Sequence, residues 1–143
     1  MNSTIDGLVR DGLLEAVVAD PKAARQIIEE SRRHVTAAQR IEEIDRSGAY
    51  VLCYDAARKA VSAVLLHAGY RAMAVPGSHT AIAKIAVSLG STQPERSRLR
   101  QLNQMRQHRN RSEYAVRSFS AQETKAAIEL AAWILEFAAT RLS

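Results

Sequence analysis

The sequence predicts an all-α protein, an up-and-down four-helix bundle with additional short helices. Three observations point there. Apolar residues recur at helical spacing through most of the chain, and capping signatures of Ser, Thr or Asp punctuate the pattern. No stretch alternates with period two for long enough between turn signals to suggest a sheet, although Tyr50 to Cys53 carries local strand propensity.

A first helix is expected over Ile5 to Val18, from the stripe Ile5, Leu8, Val9, Leu13 and Val17, with Ser3 or Thr4 as its cap. Asp20 before Pro21 reads as an N-cap followed by a first helical residue, because proline lacks an amide that would have no partner there. The second helix then runs from Pro21 to about Asp45, burying Ala24, Ile27, Ile28, Val35, Ala38, Ile41 and Ile44 beneath a charged face. Ser47 and Gly48 interrupt the pattern. Ala49 to Ala68 forms the central, most thoroughly buried helix and ends at Gly69, a natural C-cap.

Pro76 and Gly77 turn the chain, Ser78 is read as a capping residue, and a fourth helix covers Thr80 to Ser88 before Gly90. Thr92 and Glu95 make a capping box around Pro94, opening a fifth helix through Leu99, Leu102, Met105 and Arg109. Ser120 and Glu123 repeat that signature before a final helix through Trp133, Ile134 and Phe137, ending near Ala139 or Arg141.

With 143 residues, 47% of them hydrophobic, the chain suffices for one core and is short for two, so residues 1–143 are read as a single domain. The single cysteine, Cys53, excludes an internal disulfide and fits a reducing compartment. No signal peptide pattern and no run of about 18 apolar residues is present. The expectation is a soluble cytoplasmic protein with no membrane partner.

The formal charge of +5 is not evenly spread: residues 96–117 hold seven arginines against one acid, Glu113, and the rest of the chain is close to neutral. Such a concentration suggests a phosphate-facing surface more strongly than net charge does. On an ideal helix Leu102, Met105, Arg109, Ser112 and Val116 share a broad face, with Arg106 and Glu113 on its flank. Arg109 thus places a cation within a core stripe, where it needs a carboxylate, a cleft or a bound phosphate. The plainer alternative is a guanidinium that reaches solvent past its own stem or pairs with Glu113.

Beside Arg109, Asn110 donates and accepts hydrogen bonds and His108 carries an imidazole suited to proton transfer. Tyr50, Tyr54 and Arg58, with Asp55 adjacent, form a ladder at helical spacing that either positions Arg109 or buries two rings with satisfied hydroxyls. His67 and His79 bracket the turn before the fourth helix, and the adjacent Ser78 and His79 do not by themselves establish attack geometry. Paired cysteines, histidine–carboxylate clusters at ligand spacing, phosphate loops and dinucleotide fingerprints are all missing, so neither a metal nor a cofactor is expected.

The segment from Tyr50 through Tyr54, Asp55, Ala56, Ala57 and Arg58, the His67 to Arg71 turn, Ser78 with His79, and the RNRSEY run from Arg109 to Tyr114 together resemble the HEPN superfamily over roughly residues 46–140. The chain looks closest to prokaryotic stand-alone members often encoded beside a minimal nucleotidyltransferase. The resemblance implies a homodimer whose fifth helices line a shared cleft and, in active members, a metal-independent endoribonuclease acting as the toxin of a toxin–antitoxin system. It assigns Arg109 to the motif arginine and Asn110 to its polar neighbour, and puts Tyr114 where the motif histidine is expected. In related pairs a tyrosine near the motif accepts a nucleotide from the partner enzyme.

RNA binding would involve Arg106, Arg109 and Arg111, with catalysis assigned to Arg109, Asn110, Tyr114 and His108, and with Tyr50, Tyr54, Asp55, Arg58 and Glu113 in support. A tyrosine, with an ordinary pKa of about 10, is a poor base at neutral pH. On a straight helix Tyr114 also lies about 140° from Arg109 and His108 about 100° from it. Two functions therefore stay open: an RNA-directed toxin-type nuclease, or a noncatalytic dimeric interaction protein binding an acidic or nucleotidyltransferase antitoxin partner.

Overall fold

The computed structural model describes residues 2–114 and 118–142, with the backbone alone described at 112–114. Asn2 accepts from the amides of Thr4 and Ile5, starting α1 (Ser3–Arg10). The helix stops well short of Val18. Gly12 takes φ +75, a left-handed conformation that turns the chain out of the helix, and Leu14–Ala16 continue as β1.

This strand pairs antiparallel with β2 (Tyr70–Ala72), with Leu14 opposite Ala72, Glu15 opposite Arg71 and Ala16 opposite Tyr70. The expectation of no sheet and of a helix through Leu13 and Val17 is corrected here. A three-residue ribbon is too short to alternate visibly, and its partner lies far off in sequence, so pairing rather than periodicity creates it. The Glu15–Arg71 ion pair spans the two strands, and Val17 N–H donates to Gly69 O at 2.9 Å beside the ladder.

Asp20 accepts from Ala23 N–H at 3.0 Å and Pro21 opens α2 (Pro21–Ile41). The helix ends before Ile44, which is 86% exposed and so takes no part in the expected stripe. After a short connection Asp45 caps α3 (Arg46–Ala68), accepting from Gly48 N–H. Thus Ser47 and Gly48 lie in the first turn of the helix rather than ahead of it. Its other end is Gly69 at φ +94, where an added Cβ would stand 3.0 Å from Val17 O.

The remaining helices are α4 (Ser78–Leu89), α5 (Gln93–Tyr114) and α6 (Ala121–Thr140). Both capping boxes form: Glu95 N–H donates to the Thr92 hydroxyl while the Glu95 carboxylate accepts from Thr92 N–H, and Ser120 with Glu123 repeats the exchange. The all-α expectation holds, with six helices and one small ribbon among the described residues. One core cluster runs from Ile5 to Leu142.

Its axis is α3, where Ala49, Ala56, Ala57, Ala60 and Ala63 are fully buried and allow close approach by neighbouring helices. It packs most extensively on α2 and α6, and it also meets α4 and α5. The α5 helix lies mainly against α4 and scarcely touches α6. The middle of α3, the first turn of α4 and the later turns of α5 consequently converge. Burial pushes the Cys53 thiol on α3 up to about 12, so it is a packing residue and a poor nucleophile.

Candidate functional site

Spacing of three and four residues on α3 brings Tyr50, Tyr54, Asp55 and Arg58 to one side of the helix. Both tyrosine rings are buried. The Tyr54 hydroxyl is hydrogen-bonded to His79 Nδ1 at 3.2 Å, with the rings tilted at 50°. His79 is in the first turn of α4, which starts at Gly77 (φ +89) without any side-chain cap. Ser78 is therefore the first helical residue rather than the cap its position suggested.

Arg58 approaches Asp55 at 3.8 Å, a loose pair. Its Nε is shielded from solvent and makes no hydrogen bond among the described residues. From α5, Arg106 donates through Nε to Asn103 Oδ1 at 3.0 Å, and Arg109 is half-buried. Among the described residues, Arg58, Arg106 and Arg109 on two helices and the Asp55 carboxylate all act electrostatically on the Tyr54–His79 pair.

The titration of the two central groups reports this crowding. Burial raises the Tyr54 hydroxyl above its ordinary value, while Arg58, Arg106 and Arg109 pull it back. Burial also lowers the His79 imidazole, and Arg58, Arg109 and Arg106 add to that lowering against the opposing pull of Asp55. With an ordinary value of about 6.5 lowered further, His79 is neutral at pH 7. His79 is exposed, with Nδ1 the ring nitrogen bonded to Tyr54.

Tyr50, one turn before Tyr54 on α3, and His108, adjacent to Arg109 on α5, form a separate assembly. The Tyr50 hydroxyl is bonded to His108 Nδ1 at 3.3 Å, and its ring stacks on Phe119 at 4.2 Å. The small cavity beside them, about 90 Å³, is walled by Met105, Ala126, Ala127 and Leu130. His108 is thus directed toward the α6 side, away from the arginine cluster.

Of the residues singled out from sequence, Arg106, Arg109, Tyr54, Asp55 and Arg58 come together; Tyr50 and His108 pair elsewhere. Asn110 is half-buried and Arg111 exposed at the end of α5. Tyr114 closes the helix, and its side chain and that of Glu113 lie outside the described residues. Sequence reasoning noted His79 beside Ser78 and within the HEPN-like segments but did not place it in the site, because nothing local shows that it meets Tyr54.

A cleft of about 460 Å³ lies between α4 and α5, lined by Thr80, Lys84, Arg100, Asn103, Gln104 and Gln107, of which Asn103 also accepts from Arg106. It holds donors and two cations but no acid. Among the described residues no group of three His, Cys, Asp or Glu is placed to hold a metal ion, and no helix is long and apolar enough to cross a membrane.

A family model described as HEPN domain matches residues 18–142. No curated protein and no solved structure matches the chain significantly.

Proposed function

Because the chain belongs to the HEPN family, we propose that it is an RNA-directed protein of the toxin type, a metal-independent endoribonuclease whose phosphodiester contact is centred on Arg109. The observation that supports this reading is the Tyr54–His79 pair lying within the electrostatic influence of Arg58, Arg106 and Arg109, cations carried by two helices, with Asp55 beside Arg58. Cations assembled at such a density repel one another, and an anion relieves that repulsion. A planar guanidinium matches two phosphoryl oxygens and stabilises the extra charge of a pentavalent phosphorane.

The α4–α5 cleft supplies Lys84 and Arg100 for neighbouring phosphates, and exposed Arg111 extends the positive surface. In this reading the protein works as a homodimer, and a minimal nucleotidyltransferase is its antitoxin.

Cleavage of mixed single-stranded RNAs in excess chelator tests the assignment. Arg109→Ala is expected to lower kcat by about 10²-fold or more, the effect of losing one transition-state donor. Arg106→Ala and Arg111→Ala are expected to weaken RNA binding and each to lower the salt slope by about one. A folded wild type that leaves every RNA intact would overturn the nuclease assignment. It would favour the second reading, a noncatalytic dimeric interaction protein that binds an acidic or nucleotidyltransferase partner; Tyr114 at the motif histidine position supports that reading.

A further inference from the structure

A phosphodiester held at Arg109 needs a base for the 2′-hydroxyl that attacks it, and the described side chains offer few. Arginines stay protonated. The Tyr54 hydroxyl is buried and more reluctant than usual to ionise. His108 is engaged by Tyr50 on the other side of α5, and His34 is bound to Lys59 at 2.9 Å between α2 and α3. Among the described histidines, His79 joins an exposed ring to a hydrogen-bonded Nδ1 and to the electrostatic influence of Arg58, Arg106 and Arg109.

Resting on the nuclease reading above, we propose that His79 is the general base of a 2′-O-transphosphorylation at this site, with Tyr54 as its positioning residue. The base form is the tautomer in which Tyr54 Oη accepts from Nδ1–H. When Nδ1–H donates to Tyr54 Oη, the lone pair resides on Nε2 of this exposed residue. Nε2 takes the 2′-hydroxyl proton as the O2′–P bond forms. The P–O5′ bond breaks, its electron pair leaves with O5′, and O5′ takes a proton from water. The imidazolium then returns its proton to the hydroxide so formed. The products are a 2′,3′-cyclic phosphate and a 5′-hydroxyl, with nothing oxidised or reduced.

The surrounding charges suit both halves of this cycle. Tyr54, Asp55 and Arg58 face His79 from α3, and Arg106 and Arg109 reach it from α5. Burial first, and then the net positive field, lower the pKa of the free imidazole. A bound phosphate offsets that field, strengthening the imidazole as a base when substrate is present.

The test uses the full chain and a mixed-sequence single-stranded RNA in chelator, from pH 5 to 8.5. His79→Ala and His79→Gln are expected to lower kcat by about 10²-fold or more while KM stays within about threefold, and to flatten the acid limb of the profile. Free imidazole is expected to restore part of the activity of His79→Ala. Tyr54→Phe is expected to lower kcat about tenfold with KM unchanged, as for a positioning residue.

Wild-type rates in His79→Ala, with Arg109→Ala inactive, would overturn the base assignment and leave the phosphate site standing. A wild type inactive on RNA would remove the nuclease reading and the base with it. Independently, NMR of histidine-labelled protein titrated with inorganic phosphate is expected to show the His79 pKa rising, and to lose that response in Arg109→Ala. A pKa unmoved by phosphate in the wild type would overturn the placement of His79 beside a bound anion.

Discussion

Two tyrosine–histidine pairs sit one helical turn apart along α3, and their difference teaches what makes a site. Tyr50 and Tyr54 are both buried, and each hydroxyl meets a histidine Nδ1, at 3.3 Å and 3.2 Å. Tyr50 stacks on Phe119 and its histidine borders a small apolar cavity. Tyr54 meets a histidine from a different helix, in the field of Arg58, Arg106 and Arg109. The same two functional groups therefore serve packing in one place and, in the proposed function, meet phosphate in the other. What separates them is the exposed histidine that α4 brings to Tyr54 and the stack of Tyr50 on Phe119.

Ring truncation is the largest perturbation of this comparison and should not distinguish the pairs. Tyr50→Ala and Tyr54→Ala each remove a fully buried ring, which is expected to cost about 3–5 kcal/mol in urea unfolding. A loss well below about 2 kcal/mol at Tyr50 would mean that its stack on Phe119 contributes little to the core.

Removing only the hydroxyl is gentler and does distinguish them. Tyr50→Phe is expected to cost about 1 kcal/mol of stability, a buried hydrogen bond, without changing RNA affinity. Removing the cation instead of the hydroxyl moves chemistry and not stability: Arg58→Gln is expected to raise the His79 pKa, read by NMR titration, because Arg58 is the largest charge effect on that ring. If the His79 pKa stays where it is in Arg58→Gln, burial alone separates the two pairs.

Much of this contrast was legible in the sequence, and its omissions have physical causes. The caps at Asp20, Thr92–Glu95 and Ser120–Glu123 are local events within one turn, and each forms where its residues indicate. The Tyr50, Tyr54, Arg58 ladder and Arg109 follow from helical spacing in the same way. The β1–β2 ribbon and the Tyr54–His79 bond depend on segments far apart in the chain, joined by glycines at positive φ. Periodicity cannot show which distant segments meet. His108 drew notice because it adjoins Arg109 in sequence, yet adjacent residues on a helix diverge by about 100°. His79, remote in sequence, reaches the arginines through the fold.

The smallest expected effect is on stability against pH, and it isolates the second pair. The folded pKa of His79 lies below its ordinary value, so as pH falls the unfolded chain takes up the proton first. Stability is then full above about pH 6.5 and declines below it until the folded imidazole also protonates. His34, lowered by burial and by Lys59, contributes with the same sign. A modest fall in Tm between pH 7.5 and 5.5 is expected, partly relieved in His79→Gln, with the His34 share remaining. Saturating phosphate should relieve the His79 share as well, since an anion beside Arg58 and Arg109 lets the folded imidazole accept its proton at higher pH. A wild-type decline identical with and without phosphate would separate His79 from the anion site and remove the electrostatic distinction between the two pairs.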